Sequence, residues 1–253
     1  METTECLVSA DWPAPTNVRV AMTTRAGGVS IAPFDSNNLG THVGDNDIAV
    51  AANRAALQQQ LALPTQPQWL EQIHGTRVVA AATDGRVRTA DGCYSREAGV
   101  ACAVMTADCL PVLICDRQGT QVAAVHAGWR GLAKGILAEA LESFSCDAAQ
   151  LLVYFGPALG SDHFEVGIEV LETFFAAART PAQAEAVSAA FRPSPKPLHF
   201  YADLYALARA ELATLGVEAI YGGDCCTYGD PQRFYSYRRD GKTGRMASLI
   251  WLA

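Results

Sequence analysis

The residues best suited to chemistry in this sequence are a cysteine and a histidine on the two arms of a predicted β-hairpin. Cys109 lies where one predicted strand has given way to a loop, and His126 ends a later strand. Residues 116–119, Asp-Arg-Gln-Gly, supply the turn between the arms. A tight bend there brings Cys109 and His126 opposite each other, within a residue or two. We therefore expect a thiol and an imidazole to meet at a sheet edge.

Two kinds of chemistry use a thiol beside an imidazole. In one, the histidine is a base that activates a cysteine nucleophile; in the other, thiolate and imidazole bind zinc. A third ligand would favour the metal, and His74 is the best candidate among the five histidines. It interrupts a predicted strand beside Gly75, where the backbone can approach closely. Three protein ligands with an open fourth position are typical of catalytic zinc.

The spacing of these three residues leaves a plainer interpretation open. Positions 74, 109 and 126 do not form a compact metal motif such as a paired CxxC. Cysteine is often a small buried residue, and a core histidine is often satisfied by hydrogen bonds. The residues alone are therefore compatible with a zinc site, a nucleophile or a structural cluster.

The elements that must position these residues are a mixture of strands and helices. Short apolar runs bounded by turn residues predict strands over residues 17–22, 70–82 with a break at 74–75, 100–105, 112–115, 121–126, 151–155, 217–221 and the C-terminal stretch. Helices are predicted over 48–61, 129–144 and 203–215, with Asp47 and Asp203 near two of the caps. No repeat or linker divides the chain, so residues 1–253 are expected to form one domain.

Composition narrows the class of protein. Half of the 253 residues are hydrophobic, which suffices for a large core, and the formal charge is -7 without a basic run. Nucleic acid is therefore not an expected partner. The N-terminal residues lack the features of a secretory signal, and no segment approaches a membrane span, so we expect a cytoplasmic protein. Its eight cysteines are then expected to be core residues, ligands or nucleophiles.

Three segments around these residues resemble the YfiH (PgeF) family, also known as the laccase-domain or purine nucleoside phosphorylase family. They are WLEQIHGTRVV, DGCYSREAGVACAVMTADCLPVLICD and VAAVHAGWRGLAKGI, and the likeness extends to TTRAGGVS, SNNLGTHVGD, GPALG, YADLYALAR and FYSYRRDGKTGRMASLIWL. The pairing of ADC with VHAGWRG at this separation is specific. The resemblance implies a single YfiH-like catalytic domain of the α+β class, a layered α/β/β/α sandwich with mixed sheets.

The resemblance also implies a site and a reaction. Its catalytic zinc ligands fall on His74, Cys109 and His126, and the sequence departs from the family pattern at none of them. Family members are similar in cleaving adenosine, inosine and methylthioadenosine with phosphate, and some deaminate adenosine. Phosphorolysis needs a bound anion, for which Arg130 and the backbone at the start of the predicted helix are candidates. Deamination would use the metal to activate water.

Further substrate contacts are expected from the same likeness. Arg25, beside a Gly-Gly pair, is a candidate for phosphate or a nucleoside hydroxyl, and Asn38 follows in the next loop; a surface or turn role is the plainer alternative for each. Cys225 is expected to line the pocket, unless it is a packing residue. Asp108 would orient a metal ligand or cap its own turn. Tyr235, Tyr237, Arg238 and Arg239 are expected either to form a segment over the site or to be an exposed charged strand. His42 is a further candidate, with a turn role as the plainer alternative.

Two other functions stay open. The family fold is also similar to the catalytic domain of the cytotoxic necrotizing factor toxins, whose deamidase uses Cys and His. The alternative is therefore a Cys-His hydrolase or amidase that edits peptidoglycan precursors, and a zinc-stabilised binding protein is the non-enzymatic option. The laccase name suggests a multicopper oxidase, but five histidines are too few for a blue-copper centre plus a copper cluster. The sequence does not indicate a protein partner.

Overall fold

The computed structural model describes residues 6–253, and their strands are mostly short. In chain order the strands are β1 (Leu7–Val8), β2 (Val18–Thr23), β3 (Leu70–Glu71), β4 (Val78–Ala80), β5 (Arg88–Thr89), β6 (Gly92–Ser95), β7 (Cys102–Thr106), β8 (Leu110–Asp116), β9 (Val122–Ala127), β10 (Leu151–Phe155), β11 (Glu165–Gly167), β12 (Phe191–Pro193), β13 (His199–Ala202), β14 (Ala219–Gly222) and β15 (Met246–Leu252).

The helices are also short, apart from the first. They are α1 (Asp47–Gln60), α2 (Trp129–Ala133), α3 (Ile136–Glu142), α4 (Ile168–Ala177), α5 (Pro181–Ala189), α6 (Leu204–Thr214) and α7 (Tyr237–Asp240), and a 3₁₀ turn covers Ala148–Gln150. Over the described part of the chain, none of them has the length and apolar character needed to cross a membrane.

The strands pair into two main sheets and two small ones. The four-stranded sheet has the order β1-β2-β15-β7 and is antiparallel throughout. The six-stranded sheet has the order β14-β10-β8-β9-β6-β4, in which the pairs β10/β14 and β4/β6 are parallel. The small sheets are β11-β13-β12 and β3-β5. The mixed pairing agrees with the predicted mixed sheets.

The two main sheets pack face to face, and helices cover their outer faces. Small and medium apolar side chains from both sheets fill the interface between them, among them Met22, Cys102 and Leu113. On the outer side of the four-stranded sheet, α1 contributes Leu57 to a second core. The helices α3 and α6 pack on the six-stranded sheet, where Ile136 joins the largest core. The layer order is therefore α/β/β/α, which confirms the predicted fold class.

The hairpin that carries the candidate pair forms where the sequence predicts it. In β8 and β9 every residue is buried, as expected for central strands covered on both faces. The register pairs Leu110 with Ala127 and Pro111 with His126. Cys109 is therefore just beyond the paired strand, two positions from being directly opposite His126. This offset is within the expected error.

Two predicted elements differ from the structure because of local backbone chemistry. The helix predicted over residues 129–144 is divided into α2 and α3, since Gly135 adopts a left-handed φ of 89° between them. At the start of α1 the cap is Asn46, whose side chain accepts hydrogen bonds from the amides of Ile48 and Ala49. Apolar spacing located both segments correctly, but the glycine break and the cap depend on single residues.

A buried asparagine ties α1 to the loop that follows β2. Asn53 is 2 % exposed, and its Oδ1 accepts from the Val29 amide at 2.9 Å. Its Nδ2 donates to Ser30 Oγ at 3.0 Å and to the carbonyl oxygen of Asn38 at 2.9 Å. One amide side chain therefore links α1 to three positions in the loop over residues 29–38.

We predict that Asn53→Ala destabilises the protein by about 2–4 kcal/mol, because it leaves several buried polar groups without partners. Urea unfolding followed by circular dichroism measures the change in the free energy of unfolding. The exposed Gln59 on the same helix provides a matched control, and Gln59→Ala should change stability by less than about 0.5 kcal/mol. Equal stability of the two variants would show that Asn53 does not hold this loop.

Candidate metal and active site

Three separate parts of the chain bring their side chains together at one edge of the two sheets. His74 comes from the turn between β3 and β4, Cys109 from the turn between β7 and β8, and His126 from β9. Their candidate ligand atoms all lie within 4.8 Å of one another. Cys109 Sγ is 3.7 Å from His74 Nε2, and the two imidazole rings meet edge to face with centroids 4.8 Å apart. The three residues predicted as ligands thus form one cluster.

The turn that carries His74 is attached to the neighbouring strand by a side chain. The Gln72 amide nitrogen donates to the Met105 carbonyl at 2.8 Å, and its Oε1 accepts from the Met105 amide at 2.8 Å. Gln72 therefore pairs with β7 as a backbone segment would. His74 itself has a left-handed φ of 58°, a conformation that needs such support in a non-glycine residue.

Asp91 connects two of the three candidate ligands. Its side chain is fully buried, and its carboxylate accepts hydrogen bonds from the amides of Ile73 at 3.2 Å, His74 at 2.9 Å and Gly75 at 2.7 Å. The same carboxylate lies 2.8 Å from Nδ1 of His126. One buried charge therefore fixes the backbone of one ligand and the imidazole of another.

Asp91 was not predicted from the sequence as a site residue. Its signal is a lone acidic residue followed by Gly92 at the start of an apolar strand. A buried carboxylate needs partners, so an aspartate in that setting indicates a polar cluster nearby. The pattern does not tell which histidine it meets, because that depends on the pairing of β6 with β9.

The contact with Asp91 determines which nitrogen of His126 is available. The carboxylate accepts a hydrogen bond from the Nδ1–H group, and Nε2 is then left for a metal or for the thiol. Burial by itself lowers the pKa of His126, but the charges of Cys109 and Asp91 and their hydrogen bonds raise it to about 9. The coupled pair therefore favours an imidazolium when no metal is bound.

The pKa of Cys109 shifts in the opposite direction. Burial by itself raises the pKa of its thiol, but the charges and hydrogen bonds of His126 and His74 lower it to about 6. A thiolate is the form required both of a zinc ligand and of a nucleophile. The electrostatics of the pair therefore fit both predicted chemistries, and the third group, His74, distinguishes them.

A glycine keeps the cluster accessible. A Cβ atom on Gly128 would lie 2.9 Å from His74 Cδ2 and 3.1 Å from Cys109 Sγ. These distances are shorter than a side chain tolerates without displacing the neighbouring groups. Only glycine at this position leaves the cluster undisturbed, which gives a physical reason for the glycine in the segment HAGWRG.

The cluster lies in the wall of a cavity of about 520 Å³. This volume is in the range of small-molecule sites, roughly 300–1,000 Å³. The wall combines guanidinium groups with apolar and aromatic surface. Its cationic residues are Arg130, Arg238 and Arg245, and its larger apolar residues are Met105, Trp129, Leu159, Phe164, Leu204 and Tyr237.

The structure gives Arg130 and Asp108 more specific surroundings than the sequence did. Arg130 lines the cavity as expected, with its guanidinium 4.4 Å from the centre of the Trp129 ring. The helix behind it, α2, has five residues, so its dipole contributes little to anion binding. Asp108 orients no metal ligand: its Oδ1 accepts from Thr227 Oγ1 at 2.6 Å and its Oδ2 from the Arg238 amide at 2.7 Å.

Three of the expected substrate contacts do not line the cavity. Arg25 pairs with Asp35 and lies 4.9 Å from the centre of the Tyr235 ring. Asn38 is buried and binds backbone and side-chain groups of its own loop. The Cys225 carbonyl accepts from a tyrosine hydroxyl, while its thiol donates to the neighbouring Asp224. Burial and pairing within loops explain these residues.

Only part of the segment that was expected to cover the site lines the cavity. Tyr237 and Arg238 line the cavity, and His42 lines it from the N-terminal loop. Tyr235 is fully buried rather than part of the cavity wall, and Arg239 donates to the backbone carbonyls of residues 227 and 228. Tyr235 and Arg239 therefore support Tyr237 and Arg238, since they hold the part of the chain where α7 begins.

Comparison with known proteins agrees with this architecture. Residues 19–253 match the family described as multi-copper polyphenol oxidoreductase laccase. A purine nucleoside phosphorylase of Pseudomonas aeruginosa is 54% identical over 245 residues, covering 97% of this chain and 98% of the relative. The Escherichia coli protein named purine nucleoside phosphorylase YfiH is 49% identical over 247 residues, with coverage of 97% and 98%.

Solved structures give the same result. A crystal structure of a Neisseria meningitidis protein superposes with a TM-score of 0.92 at 51% identity, covering 98% of this chain and 99% of that one. YlmD from Geobacillus stearothermophilus superposes with a TM-score of 0.87 at 30% identity, covering 100% and 98%. With the family match and these relatives spanning nearly its whole length, the chain belongs to the YfiH family, whose sequence model is described as a laccase.

Proposed function

We propose that this protein is a zinc-dependent purine nucleoside phosphorylase that acts on adenosine, inosine and methylthioadenosine. The observation that carries the proposal is the convergence of His74, Cys109 and His126 in the wall of a cavity that is both cationic and aromatic. Such a wall suits an inorganic phosphate and a purine together. The names of the relatives from Pseudomonas and Escherichia support the same reaction.

The donor set fits zinc. Two imidazoles and one thiolate are zinc ligands, and three of them leave one position open for a substrate or water. A multicopper centre is less well matched, because it needs many further histidines and His163 and His199 lie outside both the cluster and the cavity wall. When bound, zinc would supply a Lewis acid that polarises a substrate oxygen.

The side chains of the cavity account for the rest of the reaction. An oxygen of hydrogen phosphate forms a bond to the ribose anomeric carbon, while the bond from that carbon to the purine nitrogen breaks and its electron pair passes to the base. The base takes up the proton that hydrogen phosphate releases. The products are ribose 1-phosphate and the free base. Guanidinium groups, including Arg130, hold the phosphate or its neighbouring hydroxyls, and Trp129 and Phe164 offer flat surface to the purine. Apolar walls exclude water, which would otherwise compete with phosphate.

A Cys-His hydrolase or amidase is the second candidate, and one observation favours it. Asp91, His126 and Cys109 stand in the order orienting acid, base and nucleophile, as in thiol hydrolases. That chemistry assigns no role to His74, whose Nε2 lies 3.7 Å from the thiol. The metal accounts for all three groups, so we rank the hydrolase, including an amidase for peptidoglycan precursors, second.

Adenosine deamination is a further reaction proposed for the same metal position. Known zinc deaminases use a free carboxylate as general acid and base. The carboxylate found in this cavity wall, Asp108, has both oxygens engaged by Thr227 and Arg238. We therefore expect phosphorolysis to exceed deamination. With adenosine and phosphate, adenine measures the first reaction, and the sum of inosine and the hypoxanthine formed from it measures the second.

We also propose a cytoplasmic location. All eight cysteines fall within residues 6–253, and no disulfide joins any of them there. A reducing compartment maintains that state.

The first prediction concerns the metal and the reaction together. The purified protein should contain about one zinc per chain. His74→Ala and Cys109→Ala should lose tightly bound zinc and lower inosine phosphorolysis at least about 100-fold, because Lewis-acid stabilisation is worth several kcal/mol. Elemental analysis and release of hypoxanthine with ribose 1-phosphate are the measurements.

His199→Ala and Cys146→Ala are matched controls, since neither residue lies in the cluster or in the cavity wall. Both should keep wild-type zinc and activity. Wild-type zinc content in the His74 and Cys109 variants would contradict the metal assignment, whereas a zinc-loaded wild type without phosphorolysis would contradict the reaction alone.

The second prediction separates the metal site from the thiol nucleophile. If Cys109 binds zinc, iodoacetamide should label it slowly in the protein as purified and rapidly after a chelator removes the metal. Activity should fall with chelation and return with added zinc. Fast labelling of Cys109 in a metal-free, fully active protein would instead establish the hydrolase chemistry. Peptide mass spectrometry identifies the labelled cysteine.

The third prediction concerns Asp91. Asp91→Asn should weaken zinc binding roughly 10–100-fold, since an amide nitrogen cannot accept the amide hydrogens of residues 73–75 and His126 loses its charged partner. Competition with a chromophoric chelator gives the zinc Kd. The exposed Asp47→Asn is the control for charge and should leave the Kd unchanged. Equal zinc affinity in both variants would remove Asp91 from the site.

A further inference from the structure

Arg245, in the cavity wall, has a hydrogen-bonding edge without a partner. The Arg245 guanidinium donates through Nη1 to the carbonyls of Thr243 and Gly244, both at 3.0 Å. Its Nε and Nη2 have no partner among residues 6–253, and it forms no ion pair with any described carboxylate. Nε and Nη2 are adjacent donors that grip two oxygens of a phosphate at once. The unoccupied edge therefore has the geometry of an anion site.

The backbone and stem of Arg245 are held rigidly. Its amide donates to Asn38 Oδ1 at 2.9 Å, and its carbonyl accepts from the Leu39 amide at 3.1 Å. A Cβ atom on Gly40 would lie 2.8 Å from Arg245 Cγ, so the stem packs directly against that glycine. Fixing the side chain before the ligand arrives reduces the entropy cost of binding. Asn38, which does not touch the cavity, thereby positions a residue that does.

The other two arginines of the wall also have donors without a partner among residues 6–253, but they are less buried than Arg245. Arg130 and Arg238 are exposed, and their guanidinium groups lie 4.4 Å and 5.6 Å from the ring centres of Trp129 and Phe164. They belong to the aromatic part of the cavity. Arg245 is half-buried on the side formed by the N-terminal loop, with its guanidinium 6.0 Å from the centre of the Tyr237 ring. We call the side of the cavity with Trp129 and Phe164 its aromatic end and the side with Arg245 its cationic end.

The cationic end is close to the candidate metal ligands. Burial lowers the pKa of Arg245, and the negative charges of Cys109 and Asp108 oppose that shift. Asp108 does not block the guanidinium, because Thr227 and the Arg238 amide occupy its oxygens. His42, which also lines the cavity, adds a second donor at this end.

We infer that Arg245 anchors the substrate phosphate through Nε and Nη2, while the purine lies at the aromatic end between Trp129 and Phe164. The ribose anomeric carbon is then held between the two ends, beside the His74, Cys109 and His126 cluster. This assignment rests on the proposed function, and it makes Arg245, rather than Arg130, the main phosphate residue. Arg130 is left with the base or the sugar.

The test compares phosphate binding with catalysis in the full-length, zinc-loaded protein. Isothermal titration with inorganic phosphate gives the Kd, and inosine phosphorolysis gives KM for each substrate. Arg245→Gln should raise both the Kd and the KM for phosphate roughly 10–100-fold, the loss expected for a charged bidentate contact. The KM for inosine should change less than about 3-fold, because the base is bound elsewhere.

Three further variants make the result specific. Arg245→Lys keeps the positive charge but lacks the two adjacent planar donors of a guanidinium, and it should recover part of the phosphate affinity that Arg245→Gln loses. Arg130→Ala should raise the phosphate Kd less than Arg245→Gln does. Arg117→Gln removes one positive charge from the far end of the β8/β9 hairpin and should leave the Kd unchanged.

An unchanged phosphate Kd in a folded Arg245→Gln protein would overturn the inference, as would a larger loss in Arg130→Ala. A wild type without measurable phosphate affinity would overturn it too. If phosphate binding depends on Arg245 but nucleosides are not cleaved, the anchor is supported and the proposed phosphorylase is contradicted. The two claims can therefore fail separately.

Discussion

The buried carboxylate of Asp91 is the interaction on which the site depends. A charge without solvent is tolerated only where it is fully hydrogen-bonded, and removing one partner of such a group costs roughly 3–5 kcal/mol. Asp91 meets that demand with three backbone amides from residues 73–75 and with the imidazole of His126. The same bonds hold the left-handed turn of His74 and the ring of His126 in one arrangement. Stability and ligand geometry therefore have a common origin.

The layered fold explains why such distant residues meet. Cys109 follows a strand of one main sheet and precedes a strand of the other, so the turn that contains it joins the two layers. His126 stands in the six-stranded sheet, and Gln72 fastens the His74 turn to the four-stranded one. The cavity lies at this seam. One side of its wall is aromatic and joins the helix-covered core, and the other side carries Arg245.

The sequence predicted the layers, the main hairpin and the three clustered residues, because each depends on local patterns or on the likeness of short motifs. It did not predict Asp91 or Arg245. Their importance comes from long-range contacts: the pairing of β6 with β9 for Asp91, and the loop around Asn38 for Arg245. The break at Gly135 was missed for a different reason, since apolar spacing continues across it. Arg25 and Cys225 are the opposite case. The sequence indicated them as substrate contacts, but neighbouring residues in their loops bind their polar groups.

The central claim is that Cys109 and two histidines hold one zinc ion and leave a position open. X-ray absorption at the zinc edge on the protein as purified tests this most directly. We expect one sulfur at about 2.3 Å, two imidazole nitrogens at about 2.0–2.1 Å and one further light atom from solvent or substrate. In Cys109→Ser the sulfur contribution should disappear. A zinc shell without sulfur, or one closed by four protein ligands, would contradict a zinc site held by Cys109 and two histidines.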